Sequence, residues 1–476
     1  MTIPSMRIRI LALSLSAAVA GCSAAPVFRA GAATSNVTPP LGSPLVGGWS
    51  PAPAVYVHDE LHSRALVLDD GRTRLAIAVT DNLGITRPVF DEARRIVQEK
   101  TGLARENMLF ASTHTHSAAS ARGKGMFASG QPLDEYQRFV AGRIADAVLC
   151  AIHNLEPARV AFGSAREGSQ LFNRRWKMKP GTKLISPFGE IDHVLMNPPA
   201  GHPDLLEPAG PTDPEIAFLS VQADGGRPIA LLANYSLHYV GGVGAGHISA
   251  DYFGVFAERI ADLLGAKGQD PPFVGILSNG TSGDVNNIDF TGRTPRVKEP
   301  YRKMRMVADL VAREVHNVQK TLDHRGDLTL AAAARDIRLG VRVPDRKRVE
   351  WAEGVLKSPP RIHRHEETYA RRILNLKDYP PEVAIPLQAL RIGGVGIAAI
   401  PLEVFAETGL EIKKRSPLAP AFTIELANGY YGYLPTPAQH KLGGYETWMG
   451  TSNLEMEAAP KIVEAILQLL EQVKNR

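Results

Sequence analysis

Ser112-Thr113-His114-Thr115-His116-Ser117 sets two imidazoles one residue apart, directly after the apolar run Met108-Leu109-Phe110-Ala111. Such a run has the character of a buried strand, and where a strand ends, side chains at i and i+2 lean to one side. Both rings can then face one ion or one substrate, which is the chemistry of a metal hydrolase or of an acid–base pair. His-x-His also occurs in ordinary cores and on surfaces, so further donors are needed. Three segments supply them. His238 closes Asn234-Tyr235-Ser236-Leu237-His238 after an apolar run at 229–233. Glu403 closes Ile400-Pro401-Leu402-Glu403 after the run 395–400, where a buried acid needs a cation or helix amides as partner. Asn428-Gly429-Tyr430-Tyr431-Gly432-Tyr433 crowds three phenols, and Tyr445-Glu446 follows in a Gly-rich loop. Each has a plain structural alternative: a core histidine, a helix-capping carboxylate, tyrosines that pack.

The elements that must position these groups alternate in type. Strand-like runs at 65–68 and 75–79 flank the turn Asp69-Asp70-Gly71, and 88–100 has helical spacing through Val89, Ala93, Ile96 and Val97, with Gly102 ending it. A strand is expected at 108–111, a helix at 134–152, a strand at 159–162, then strands at 229–233 and 273–278 around a helix at 251–264. Segment 168–214 has the Pro, Gly and polar content of long functional loops. A helix at 302–322 and a strand at 328–343 follow, and then a charged helical stretch at 346–376 that Pro359 and Pro360 break. Strands at 384–392 and 395–400, a helix at 404–415, a strand at 421–427 and a helix at 454–473 complete the chain. This order predicts an α/β fold: a mostly buried mixed sheet flanked by helices, in one large catalytic domain of two interleaved halves. No internal repeat is visible. In such folds chemistry collects beyond strand ends, and Asp81-Asn82, His114 to Ser117 and 279–287 are the polar clusters that fall there.

The N-terminus adds a location. Arg7 and Arg9 precede an apolar run at 10–20 and then Val19-Ala20-Gly21-Cys22-Ser23, the basic, hydrophobic and small-residue parts of a secretory signal. The segment resembles a bacterial lipoprotein signal and is too short for a permanent span. The expected organisation is a signal peptide at 1–21, a tether at 22–30 and a hydrolase domain at 31–476. An exported protein would then be held at the membrane surface through lipidated Cys22, on the periplasmic or cell-surface side. Composition is globular, with 44% hydrophobic and 22% charged residues. Loss of Arg7 and Arg9 takes the formal charge from +5 to +3, and no dense Lys/Arg run with interleaved aromatics accompanies it, which excludes nucleic acid as a partner. Cys150 is the other cysteine of the two, so no intrachain disulfide remains once Cys22 is set aside, and a buried small hydrophobe is expected there.

The order of the motifs resembles the neutral/alkaline ceramidase family, zinc amidases that split ceramide into fatty acid and sphingosine. The matching pieces are Gly31-Ala32-Ala33 with Val37-Thr38-Pro39-Pro40-Leu41-Gly42, Thr113 to Ser117, Asn173-Arg174, Asn234 to His238, Gly283-Asp284-Val285-Asn286, Ile400 to Glu403, and Tyr433 through Tyr445-Glu446. They span about residues 31 to 455. The resemblance implies one zinc ion per chain, held by His114, His238, Glu403 and Tyr433; it, rather than the chemistry, selects Tyr433 over Tyr430 or Tyr431. Two nitrogens and a carboxylate suit zinc and leave room for water. The implied reaction is cleavage of the N-acyl bond of ceramide or a related N-acyl compound by attack of zinc-bound water. His116 would give the leaving amine its proton, or else only support His114, and Tyr445 and Arg174 would hold the oxyanion or the substrate.

Departures from the family pattern bear on the substrate. The usual Gly-Asp-Val-Ser-Pro-Asn, whose serine contacts the substrate's amide region, is here Gly283-Asp284-Val285-Asn286-Asn287-Ile288, which leaves Asn286 and Asp284 as the substrate-side candidates. Ala118-Ala119-Ser120 replaces the usual Gly-Pro-Gly, and the family's C-terminal β-sandwich is not expected after the last helix. Metal-dependent hydrolysis is therefore better supported than ceramide itself. The metallo-β-lactamase pattern fails because Ala118 and Ala119 stand where Asp and His belong, and the barrel amidohydrolases carry His-x-His on their first strand. A non-ceramide metallohydrolase and a catalytically lost ligand-binding lipoprotein remain the alternatives.

Overall fold

A computed structural model describes residues 1–2, 27–48, 51–123, 131–357 and 362–476. The expected signal segment and Cys22 lie outside the described residues. No helix among those described is long and apolar enough to cross a membrane.

The long strands fall into three groups of four. The first holds β1 (Arg29–Asn36), β2 (His62–Asp69), β3 (Arg74–Thr80) and β4 (Met108–Ser112). The second holds β5 (Glu156–Arg166), β6 (Glu215–Ala223), β7 (Pro228–Tyr235) and β8 (Val274–Asn279). The third holds β9 (Leu330–Gly340), β10 (Glu382–Ile392), β11 (Val395–Ile400) and β12 (Ala421–Glu425). In each group the first three strands form an antiparallel meander, and the fourth lies parallel to the third. A parallel neighbour requires a crossover. Helices α1 (Arg87–Thr101), α3 (Asp251–Leu263) and α7 (Ala406–Arg415) provide it in the three groups. A second helix follows each fourth strand: α2 (Glu135–His153), α4 (Arg302–Gln319) and, after the short α8 (Pro437–Leu442), α9 (Ala458–Lys474). Helices α5 (Arg346–Val355) and α6 (Glu366–Leu376) stand apart as an insertion between β9 and β10.

The molecule is thus one topological unit built three times, where the sequence suggested two halves and no repeat. The units share topology and not residues, so no self-similarity reaches the sequence. Groups one and two join through two residue pairs of β1 and β5, Arg29 with Pro157 and Ala30 with Glu156. Groups one and two thus form one eight-stranded sheet and group three a four-stranded one, and the inner faces of all three groups meet in one core, to which Leu66 and Ile77, Leu219 and Leu232, and Leu390 and Ile397 contribute. The outer faces are covered by α1 and α2, by α3 and α4, and by α9, each over its own apolar cluster. Strands buried on both faces lose the alternation of an amphipathic sheet and become continuous apolar runs. That is why β6, with both Ile216 and Ala217 buried, escapes a search for alternation.

Local signals set the helix ends. Gly102 ends α1 with φ 74, its N–H bonded to the Gln98 carbonyl. Asp134 and Gln137 form a reciprocal capping box at the start of α2. On that helix Cys150 is exposed, because the buried stripe runs through Ala147, Val148 and Ala151; the expected core cysteine is a surface one. Phe28 is buried and β1 starts at Arg29, two residues before the expected domain start. The loop-rich segment 168–214 contains short strands, among them Phe172–Asn173 and Arg175–Met178.

Candidate metal centre

The crossovers give the third and fourth strands of every unit one direction, and their C-terminal ends converge. His114 follows β4, His238 follows β7, Asp284 and Asn286 follow β8, Glu403 follows β11, and Tyr430 and Tyr433 follow β12. His114 sits in the left-handed region at φ 64, a conformation that costs an L-residue roughly 1–2 kcal/mol and persists where surrounding bonds dictate it. Those bonds are visible: the His114 N–H donates to the Asn82 carbonyl at 3.0 Å and the Thr113 N–H to the Thr80 carbonyl at 3.0 Å. The loop Asp81-Asn82 is therefore a brace for the histidine block. A short parallel ladder pairs Glu403 with Tyr433, which sets a carboxylate beside a phenol.

Side-chain donors meet at one point. Glu403 Oε2 lies 3.5 Å from His114 Nε2 and 3.6 Å from His238 Nε2, and His116 Nε2 lies 3.1 Å from His114 Nε2. These spacings bracket the edge of about 3.3 Å of a tetrahedron with bonds of about 2.0–2.1 Å. The opposite ring nitrogens are fixed from behind: His114 Nδ1 donates to the Leu83 carbonyl at 2.5 Å and His238 Nδ1 to the Ser282 carbonyl at 3.2 Å. That fixes the tautomers and leaves Nε2 lone pairs facing inward. Burial holds His114 down at about 3 and His238 and His116 well below the ordinary imidazole value. Neutral rings and a carboxylate then point lone pairs at one another. His238 Nε2 and Glu403 Oε2 have no hydrogen-bond partner among the described residues. Orphaned buried acceptors of this kind are expensive, and a cation at their focus resolves them. The donors that converge here, imidazole nitrogens and a carboxylate oxygen, are of the types that zinc favours.

A second network stands on the other side of Glu403. Arg174 Nη2 donates to the Tyr433 hydroxyl oxygen at 3.0 Å and Arg174 Nε to Glu446 Oε1 at 2.8 Å, while Arg175 Nη1 donates to Glu446 Oε2 at 2.7 Å. Burial alone would raise the Glu446 carboxyl, but Arg175 and Arg174 hold it below its ordinary value. Burial pushes the Tyr433 phenol well above the usual range, and Arg174 pulls against that shift. Tyr445 meets Tyr433 edge to face at 5.8 Å between centroids. The Tyr430 hydroxyl donates to Glu403 Oε1 at 2.7 Å.

The remaining sequence candidates stand at other depths. The Asp284 carboxylate is enclosed; it accepts from the Ala406 N–H at 2.9 Å at the start of α7 and from Asn173 Nδ2 at 2.7 Å, and burial pushes it up to about 6. It clamps backbone and is not one of the converging donors. Asn286 Nδ2 donates to Asn197 Oδ1 at 3.2 Å, which ties it to the 168–214 excursion. Sequence reasoning passed over Tyr430, Arg175 and Glu425, and gave Glu446 no role. Glu425 ends β12 and accepts from the Val404 N–H at 2.6 Å, with Ser282 Oγ 2.5 Å from its other oxygen. It thereby braces the loops that carry Glu403 and orient His238. A buried acid at the end of an apolar run, Glu425 after Phe422-Thr423-Ile424, is the same signal that found Glu403.

The class so defined is an α/β fold of three like units around one core, with a cation-ready donor cluster at their common strand ends. No family model matches the chain. The neutral ceramidase from Pseudomonas aeruginosa is similar in structure, with a TM-score of 0.69 over 94% of this chain and 75% of that one, at 16% identity. A ceramidase complexed with C2 aligns with a TM-score of 0.70 over 94% of this chain and 76% of its own, at 15% identity. The chain has a neutral ceramidase-like fold, the fold that the motif order implied.

Proposed function

We propose that the protein is a zinc-dependent amide hydrolase, ceramidase-like in mechanism, that cleaves the N-acyl bond of ceramide or a related N-acyl compound. The observation that carries this is the meeting of His114 Nε2, His238 Nε2 and Glu403 Oε2, two of these three atoms orphaned, at one buried point. His114, His238, Glu403 and Tyr433 would hold the ion. Zinc held there supplies Lewis acidity, making water a competent nucleophile near neutral pH and polarising an amide carbonyl. His116, half-buried and neutral, can take a proton from the attacking water and return it to the departing amine, which otherwise leaves as an unfavourable anion. Arg174 stabilises negative charge on the Tyr433 oxygen, the state in which a phenol is a good ligand. Tyr445, packed edge to face on Tyr433, and Arg174 would hold the oxyanion or the substrate. Attachment to a membrane surface through lipidated Cys22, after export, belongs to the same proposal.

Metal analysis with single substitutions tests it. About one zinc per chain is expected, lost with activity on chelation. His114→Ala and His238→Ala should each lose the ion, whereas His116→Ala should keep most of it and lose turnover. Full zinc occupancy in the His114→Ala/His238→Ala double variant would refute the site. Loss of zinc in His116→Ala, with retention in Tyr433→Phe, would transfer the fourth ligand position from Tyr433 to His116.

A further inference from the structure

Arg122 is the site's guanidinium without an acid. Its charge lies over the Tyr430 ring at 4.8 Å from the centroid, and its Nε donates to Ser120 Oγ at 2.9 Å. Tyr430 in turn bonds Glu403 and lies nearly parallel to His114, 6.5 Å between centroids. One aromatic ring therefore separates Arg122 from the donor cluster. Arg174 and Arg175 are both engaged by Glu446. Arg122 forms no ion pair with any described residue, and the undescribed segments 3–26, 49–50, 124–130 and 358–361 contain neither Asp nor Glu. Its place is nevertheless built: a Cβ on Gly84 would meet Arg122 Cδ at 3.1 Å and Tyr430 Cδ2 at 3.2 Å, so the glycine makes room for the arginine stem against the ring.

A half-buried guanidinium whose terminal nitrogens have no hydrogen-bond partner among the described residues is a fork for a planar anion, which it binds through paired N–H donors. We propose that Arg122 takes an anionic group of the substrate. The substrates are then N-acyl compounds with a carboxylate close to the scissile amide, as in an N-acyl amino acid, rather than uncharged amides of the ceramide kind. This rests on the amidase proposal above. Hydrolysis would break the amide C–N bond, with water's oxygen passing to the acyl carbon and a proton to the nitrogen, releasing a fatty carboxylate and a free amino acid. The same charge disfavours amides whose amine portion is cationic.

The test compares N-dodecanoylglycine with its uncharged counterpart N-dodecanoylglycinamide on the zinc-loaded protein. The expected wild-type kcat/KM ratio favours the anion at least tenfold, and Arg122→Gln should bring that ratio down by tenfold or more, with Arg122→Lys between. Calorimetric binding of N-dodecanoylglycine should weaken at least tenfold in Arg122→Gln, with zinc content and thermal unfolding confirming that the variant is folded. A wild-type ratio near one, or a ratio and an affinity unmoved by Arg122→Gln, overturns the proposal. Should neither amide be cleaved, ceramide is the third substrate: its cleavage by the zinc-loaded protein keeps the amidase proposal and overturns this one, whereas no cleavage of any of the three fails the amidase proposal and leaves the binding comparison to decide whether Arg122 is an anion site.

Discussion

Glutamine at position 446 would separate shape from charge in the network behind Tyr433. Glu446 is fully buried and receives one guanidinium bond on each oxygen, 2.8 Å from Arg174 and 2.7 Å from Arg175. Glu446→Gln keeps the volume but leaves one acceptor; its amide nitrogen must face the other guanidinium, donor against donor. A hydrogen bond to a charged group contributes about 1.5–3 kcal/mol, and removing one partner of a buried ion pair costs about 3–5 kcal/mol because the remaining charge stays in low dielectric. The urea-unfolding free energy of Glu446→Gln should therefore fall by about 3–5 kcal/mol with an unchanged m-value. An exposed pair supplies the contrast: Arg95→Ala, which removes bonds to Glu92 and Glu99 on the open face of α1, should leave the unfolding midpoint close to that of wild type. Glu446→Gln should also bind zinc about 10–100-fold more weakly, since Arg174 would no longer hold the Tyr433 oxygen in place. If Glu446→Gln unfolds within about 1 kcal/mol of wild type and binds zinc as tightly, the two arginines are satisfied by other partners and the argument for an oriented Tyr433 falls.

Other outcomes follow from single groups. Burial pushes the Glu425 carboxyl well above its ordinary value; its Oε2 accepts the Val404 and Ser282 N–H groups and its Oε1 accepts the Ser282 hydroxyl. Glutamine keeps one oxygen for the two backbone N–H groups and turns an amide N–H on Ser282 Oγ, which can accept it once the hydroxyl rotates; Glu425→Gln should stay within about 1 kcal/mol of wild type and Glu425→Ala should lose about 2–4 kcal/mol, a contrast that equal losses would cancel. Burial also pushes Asp251 up to about 7, while the unfolded chain titrates near 3.8. Between those values the folded state holds a proton that the unfolded state has released, so this group's contribution falls as pH rises, with a slope of up to about 1.4 kcal/mol per pH unit. The gap in unfolding free energy between wild type and Asp251→Asn should therefore shift against wild type from pH 5 to pH 7, and a constant gap would show ordinary titration. For the anchor, Cys22→Ser should remain unprocessed or appear soluble after export; a wild-type protein with no N-terminal lipid and no membrane fraction would remove lipidation from the picture.

How much of this the sequence discloses depends on how far apart the cooperating residues lie. His114, His238 and Glu403 each stand just past an apolar run, so a local pattern locates them, and the left-handed turn at His114 adds only the detail of how the ring is aimed. Arg174, Arg175 and Glu446 carry no such pattern. They sit 271–272 positions apart in the chain, and nothing local tells a buried guanidinium from a solvated one. Glu425 is an intermediate case, visible by the strand-end rule but overshadowed by the phenol-rich loop that follows it.

The repeated topology explains why strand ends sufficed for the ligands. In each unit a helical crossover makes the fourth strand parallel to the third, so two carboxyl ends point the same way without any shared sequence. Packing three such units on one core brings six ends together, and donors from any of them can meet. Ligands from the first unit's fourth strand and from the third strands of the second and third units can therefore be close in space while more than a hundred residues apart in the chain. The second-layer residues have the opposite origin: Arg122 and Glu446 lie in the connections between a unit's fourth strand and its second helix, where topology imposes no direction and only the folded structure shows what they face.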